Sequence, residues 1–522
     1  MSNEFSRKIL WVDDEIELLR SQILFLEQKG YQVETATNGD DALEFLRTGS
    51  VDLILLDEQM PGRRGIQTVS DLKKAAPNVP VVMVTKSEEE DLMDQAIGRR
   101  VDDYLVKPVN PNQVLSVCKR LLEGTKIRHQ HVTQDFVTRF RELEEVRSES
   151  FTWKDWASTY TELIMWESRL AETGEEDLAG LMEGLKHQWR RDFSHYVMNS
   201  YLDWVSVPGG DRPLLSVDVV REFLLPVIRR HDAVLFIIVD CMRMDQWFKL
   251  EPLLSELFDI ERKTYFSILP TATPYARNAI FSGFYPAEII EHFPGYWQMG
   301  SDDEGSLNLY ERELLDEQLK RLGHRLNVPL RYEKVFTKGE GQRLVKKIPS
   351  LVQGGLTALV INFIDILTHG RSESAILLEI APDEQAYRDL ILSWFRHSSL
   401  YGVLQEAARR KVPVVLTSDH GSVHCTKPVT VYAKRDASTN LRYKFGDNIN
   451  SEEEITFLVK DPRQAKLPYL GMNVHYIFAI EDYYFVYPTK LREYQSRYYG
   501  NFLHGGISPE EMILPVAIMI PK

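Results

Sequence analysis

The chain has 522 residues, 43% of them hydrophobic and 27% charged, with a net charge of −15. Domains of ~150 residues are typical, so this length exceeds one core and about three units are expected. Acidity on this scale repels duplex DNA, three scattered cysteines (Cys118, Cys241, Cys425) lack metal-ribbon spacing, and neither a signal-peptide stretch nor a membrane-length apolar run occurs; a cytoplasmic protein is expected.

Over residues 1–123 short apolar runs (KILWVDD, YQVETA, VDLILLDEQMPG, VPVVMVTKS, VDDYLVKP) alternate with polar helical segments. This is the rhythm of a parallel sheet covered on both faces, flavodoxin-like in arrangement. Residues 124–206 lack proline, show helical spacing (Phe136, Phe140, Leu143) and hold five of the nine tryptophans, predicting an all-α bundle that connects and positions its neighbours. After the turn-rich VPGGDRP, apolar strands return in AVLFIIVDCMR, TALVINFIDILTHG and VPVVLTSDHGS, each ending in polar residues, which again reads as a parallel sheet whose strand ends carry the function. The expected fold is therefore α/β and multidomain, with an α/β domain at 207–522. Its stretches from about 284 to 350 and from 426 to 500 break the rhythm and read as insertions over the sheet.

In the N-terminal sheet the strand ends gather Asp13, Asp14, Asp57, Thr85 and Lys107 at one edge. Three carboxylates, a hydroxyl and an ammonium suit phosphoryl transfer to a carboxylate beside a hard cation such as Mg²⁺. The motifs VDDE, LLDEQMPG, VTKS and DYLVKP, in that order, resemble those of two-component receiver domains over residues 7–122. That resemblance implies Asp57 as phosphoacceptor, Mg²⁺ held by Asp14, Asp57 and the Gln59 carbonyl with Asp13 acting through water, Thr85 and Lys107 on the phosphoryl group, and Tyr104 as switch. It also implies a sensor histidine kinase as partner and a homodimer formed on phosphorylation.

The later strand ends carry Asp240, Thr271 and Thr273, Asp365 with His369, Asp419 with His420, and the loop residue His504. Three carboxylates and three imidazoles suit a two-metal site in which histidine favours Zn²⁺ over Mg²⁺, with Mn²⁺ as the other option. Singly, each has a plainer role: Asp240 as a helix cap, Asp365 and His369 as a surface pair, SDHG as a turn. Together they resemble the PglZ branch of the alkaline phosphatase superfamily over residues 230–522. One cation would then be held by Asp240, a threonine, Asp419 and His420, and the second by Asp365, His369 and His504.

LPTATPYARNAIFSG offers two threonines for the attack. In related enzymes the nucleophile stands ten residues before a helix-ending glycine, and Thr273 is ten before Gly283 and four before Arg277. Pro274 suits the first helical position, which makes Thr273 the expected N-cap and favours it over Thr271. Arg277 is read as a phosphate clamp or, alternatively, as an exposed or salt-bridged helix residue.

A phosphorylation-controlled phosphoesterase follows, with a phosphodiester, nucleotide-like substrate ahead of a monoester. The aromatic, basic segment 482–500 offers base stacking, or simply a tyrosine-rich strand pair. A receiver, a helical middle and a PglZ-type domain in one chain resemble the regulators of type IX secretion and gliding. The competing reading is a catalytically silent scaffold contacting a sigma factor or secretion component.

Overall fold

The computed structural model describes residues 7–522 apart from 62–64, 78, 87–100, 146–147, 172, 174, 208–209, 298–307, 434–437 and 452. Gly62 and Ser87 of the receiver motifs therefore lie outside the described residues. The chain forms two compact units, residues 1–138 and 139–522.

In the first unit β1 (Lys8–Val12), β2 (Gln32–Ala36), β3 (Leu53–Asp57), β4 (Val81–Thr85) and β5 (Asp103–Val106) make a parallel sheet in the order β2-β1-β3-β4-β5. Alternate residues feed two cores. Ile9, Trp11, Leu53 and Leu55 face one side, and Leu10, Val12, Ile54 and Leu56 the other. Strands buried on both faces need continuous apolar runs, and LILLD supplies one up to the single carboxylate at its C-terminal end.

In the second unit β6 (Ala233–Val239), β7 (Phe258–Phe266), β8 (Arg331–Val335), β9 (Gly355–Ile361) and β10 (Val414–Thr417) precede a small-sheet region. That region comprises β11 (Val423–Cys425), β12 (Lys427–Tyr432), β13 (Tyr443–Asp447), β14 (Asn450–Ser451), β15 (Thr456–Val459), β16 (Val474–Ala479), β17 (Tyr483–Val486) and β18 (Asn501–Leu503). The last strand, β19 (Ile513–Pro521), returns to the main sheet, whose order is β7-β19-β10-β6-β9-β8. Strands β10, β6, β9 and β8 are parallel, whereas β19 runs antiparallel to both β10 and β7. The sheet is therefore mixed, not wholly parallel as the sequence rhythm implied.

The expected insertion at about 284–350 is corrected in part, because its residues 331–335 form the edge strand β8. RYEKV is half-buried and charged, as edge strands often are, so no apolar run marks it. Segment 426–500 does stand apart from the main sheet, in two three-stranded sheets. Its Tyr484 and Phe485 are buried in the strand β17, which pairs with β12, whereas Tyr499 is exposed.

The central helices Trp153–Ala171 and Glu176–Ser206 share the second unit. Trp156 and Trp189 meet edge to face at 5.1 Å, and Phe193 and Trp204 carry the packing onto Phe266 at the end of β7. The Tyr201 hydroxyl accepts a 2.8 Å hydrogen bond from the Leu269 N–H, just ahead of the two threonines.

Candidate active site and metal centres

In the receiver unit the C-terminal strand edge brings Asp13, Asp14 and Asp57 together, with one oxygen of each within 4.8 Å of the others. Lys107 Nζ lies 2.8 Å from Asp13 and 3.0 Å from Asp57. Burial pushes the Asp57 carboxyl above its ordinary value, against the pull of Lys107. The Lys107 ammonium is opposed by burial but held above its usual value by its bonds to Asp13 and Asp57. Three carboxylates converging on one cation-sized space form an oxygen set suited to a hard divalent ion. Thr85 ends β4, the Gln59 N–H donates to Asp57, and Tyr104 is exposed.

In the second unit the local sequence explains how each side chain arrives. β6 ends at Val239 and delivers Asp240; the next residue, Cys241, takes a left-handed conformation (φ 65°) rare outside glycine, and its N–H donates to Asp419 Oδ1 at 3.3 Å. β10 ends at Thr417 and delivers Asp419 and His420, and Gly421 then passes the Glu510 carbonyl so closely that a Cβ would lie 1.9 Å from it. Asp365 and His369 lie one turn apart on the helix Phe363–Glu373. β18, paired with β11, supplies His504.

Asp365, His369 and His504 form a triangle of donor atoms. His504 Nε2 is 3.2 Å from His369 Nε2 and 3.6 Å from Asp365 Oδ1, and His369 Nε2 is 3.4 Å from the same oxygen. Donors around a tetrahedral cation at 2.0–2.1 Å stand about 3.4 Å apart, so the triangle has the edges of such a site. Burial would raise the Asp365 carboxyl, but the imidazoles of His369, His504 and His420 hold it below its usual range.

Around Asp240, Asp419 and His420 the edges are similar: His420 Nε2 lies 3.0 Å from Thr273 Oγ1, 3.5 Å from Asp240 Oδ1 and 4.0 Å from Asp419 Oδ2. His420 Nδ1 lies 3.1 Å from the Gly421 carbonyl, which can only accept. The proton therefore sits on Nδ1, and the Nε2 lone pair faces the cluster, as a metal ligand requires. Burial first, and the Asp240 charge next, push the Asp419 carboxyl well above the ordinary range, and its buried Oδ2 accepts no hydrogen bond. Two buried carboxylates with an orphaned oxygen fit a cation. The two clusters adjoin, with the His420 and His504 rings stacked at 4.4 Å.

The two threonines separate clearly. Thr273 Oγ1 lies 3.3 Å from Asp240 Oδ1 as well as 3.0 Å from His420. Thr271 is fully buried; its hydroxyl donates to the Gly506 carbonyl at 2.9 Å and accepts from the Gly505 N–H at 3.1 Å. One local expectation is corrected: the helix runs Thr273–Ser282 with Ala272 as N-cap, so Thr273 is the first helical residue and Pro274 the second. Its hydroxyl engages Asp240 and His420 instead of capping backbone N–H groups. Gly283 ends the helix in the left-handed region at φ 64°, as its spacing suggested.

Arg277 takes the salt-bridged alternative, though buried rather than exposed. Its guanidinium bonds Asp240 Oδ2 at 2.6 Å and Glu311 Oε1 at 2.6 Å. Glu311 escaped the sequence reading because ERELLDEQLKR looks like a solvated helix. Its signal was available: Glu311 heads the buried stripe of Leu314, Leu315, Gln318 and Leu319. The pairs Arg190–Glu384 and Arg388–Glu167, which tie the central helices to this domain, and the buried pair Arg243–Asp245 were missed as well.

Comparison with known proteins accords with this arrangement. A family model described as the BREX system PglZ alkaline phosphatase-like domain matches residues 219–519. A response regulator receiver domain matches 9–119, and a PorX response regulator linker domain 126–205. The transcriptional regulatory protein ResD of Bacillus subtilis (strain 168) is 38% identical over 115 residues, covering 22% of this chain and 48% of that protein. A CpxR homolog of Haemophilus influenzae is 41% identical over 117 residues, covering 22% and 50%. The chain thus spans about half the length of these curated relatives. Among solved structures, a CheY-like receiver domain protein from Methanospirillum hungatei JF-1 is 29% identical over 23% of this chain and 95% of that one, with a TM-score of 0.22.

Fold and matches together define a multidomain response regulator whose receiver precedes an alkaline phosphatase-like domain. With more than half of its length matched, the chain belongs to the PglZ family, in the arrangement of a PorX-like response regulator. Among the described residues, no helix is long and apolar enough to cross a membrane.

Proposed function

We propose that the chain is a cytoplasmic response regulator in which a sensor histidine kinase phosphorylates Asp57 and thereby controls a two-zinc phosphoesterase, in the service of type IX secretion. We assign the receiver to 1–123, the helical segment to 124–206 and the phosphoesterase to 207–522. In the receiver, Mg²⁺ would be held by Asp14, Asp57 and Gln59 with Asp13 behind it, while Thr85, Lys107 and Tyr104 register the phosphoryl group and favour a homodimer.

The observation that carries the enzymatic reading is the Thr273 hydroxyl, within 3.3 Å of both Asp240 and His420 and beside a second donor triangle. Zinc at Asp240, Asp419 and His420, and at Asp365, His369 and His504, would neutralise phosphoryl oxygens and lower the pKa of the attacking hydroxyl. Asp240 and His420 orient Thr273 Oγ1, which forms a bond to phosphorus as the bond to the leaving alcohol breaks. Hydrolysis of the phosphothreonine ester then restores the hydroxyl. A phosphodiester of nucleotide type is preferred to a monoester.

Metal analysis of the purified protein, with hydrolysis of chromogenic mono- and diesters, tests this. About two equivalents of zinc and faster diester turnover are expected. A metal-free, inactive protein that still signals would leave the alternative, a silent scaffold acting through contacts such as a sigma factor; the two complete sets of candidate ligands, Asp240, Asp419 and His420 and Asp365, His369 and His504, favour the enzyme.

A further inference from the structure

We propose that Glu311 is a positioning residue for the cation site of Asp240, Asp419 and His420: it holds Arg277 against Asp240 and offsets a guanidinium charge that would otherwise oppose a divalent cation. The inference rests on the reading above that these three residues hold such a cation.

Arg277 Nη1 lies 2.6 Å from Asp240 Oδ2 and 3.7 Å from Asp419 Oδ2, so a full positive charge stands against both carboxylates of the site. In a buried setting that charge repels a nearby cation far more strongly than it would in water. Glu311 removes the conflict. Its side chain is buried, and its carboxylate accepts from Arg277 Nε at 2.6 Å, from Asn308 Nδ2 at 2.9 Å and from the Tyr332 hydroxyl. Lys334 Nζ, 3.6 Å from Oε2, is the next cation, and burial and Arg277 together push its ammonium below its ordinary value.

The pair Glu311 and Arg277 is thus neutral, which leaves the two charges of Asp240 and Asp419 to balance a divalent ion. The pair also sets geometry. With Oδ2 taken by Arg277, Asp240 turns Oδ1 to Thr273 and His420, and so offers the cation one oxygen rather than two.

Zinc titration of the metal-free full-length protein against a competing chelator separates the two sites. Wild type should take up two equivalents. Glu311→Gln leaves Arg277 uncompensated and should weaken one equivalent roughly 10–100-fold, while the equivalent at Asp365, His369 and His504 keeps its affinity. The double variant Arg277→Met with Glu311→Gln restores the charge balance and should recover most of that loss, which a merely structural role would not predict. Wild-type affinity for both equivalents in Glu311→Gln, or a double variant no better than the single one, would overturn the inference. Should Glu311→Gln fail to fold, the double variant decides: two equivalents near wild-type affinity support the proposal, and one equivalent refutes it. A wild-type protein that binds no zinc would instead remove the metal reading and this inference with it.

Discussion

The Thr273 hydroxyl lies 3.0 Å from Nε2 of His420, whose other ring nitrogen is tied to a backbone carbonyl. Thr271, two residues earlier, is tied to the loop after His504 instead. Thr271→Val should therefore act on stability, leaving the Gly505 N–H and Gly506 carbonyl without their partner at a cost of about 1–3 kcal/mol. Thermal unfolding checks the size, and the variant should retain measurable turnover. Complete loss of turnover in a folded, zinc-loaded Thr271→Val protein would reverse the roles of the two threonines.

Asp57 is the carboxylate shared by the strand edge and Lys107. Incubation with acetyl phosphate should label the wild type, and Asp57→Ala should abolish both the label and any shift toward dimer in size-exclusion chromatography. Label persisting in that variant would place the acceptor elsewhere.

Several of the strands next to the candidate sites were legible as apolar runs that end in polar residues, two of them stopped directly by a carboxylate, in LILLD and AVLFIIVD. Chain geometry then forces parallel strand ends to one edge, so the ligand sets could be grouped without knowing distances. What stayed hidden has a common cause. β8 is a charged edge strand whose pairing no local pattern reports, and the Glu311 helix shows its apolar stripe while the partners that bury the glutamate lie far away in sequence. The antiparallel course of β19 was hidden too, since a doubly buried apolar strand reads the same in either direction.

Lys444 in β13 gives a pH prediction away from the metal sites. It is buried, donates to the Ser438 carbonyl at 2.8 Å, sits 5.0 Å from the Tyr487 ring, and burial lowers its pKa to about 8 from an ordinary 10.5. The folded state therefore binds fewer protons than the unfolded chain between these values. Stability contributed by this group is present above 10.5 and lost as the pH falls through about 8. Lys444→Met should accordingly stabilise the protein by about 1–3 kcal/mol at neutral pH, with the gain shrinking toward pH 10.5. Melting temperatures of both proteins across that range test it; a pH-independent difference would contradict it.

Arg190 on the helix Glu176–Ser206 bonds Glu510 at 2.6 Å, and Ser194, one turn on, reaches the Ile507 carbonyl. Both contacts brace the loop that follows His504. Glu510→Ala removes the shortest of the Arg190 pairs but leaves Glu384 at 3.3 Å and Glu183 at 3.5 Å, and should cost about 1–3 kcal/mol. It should also loosen the zinc held through His504. Chemical denaturation and zinc retention on dialysis measure the two effects, and unchanged retention would separate the helix from the site.

The central claim is most directly tested by hydrolysis of bis(p-nitrophenyl) phosphate by zinc-loaded wild type and by Thr273→Val carrying the same zinc content. The account predicts steady turnover by the wild type and a loss of about three orders of magnitude or more in the variant. No turnover by the zinc-loaded wild type, or equal turnover by both proteins, would contradict it.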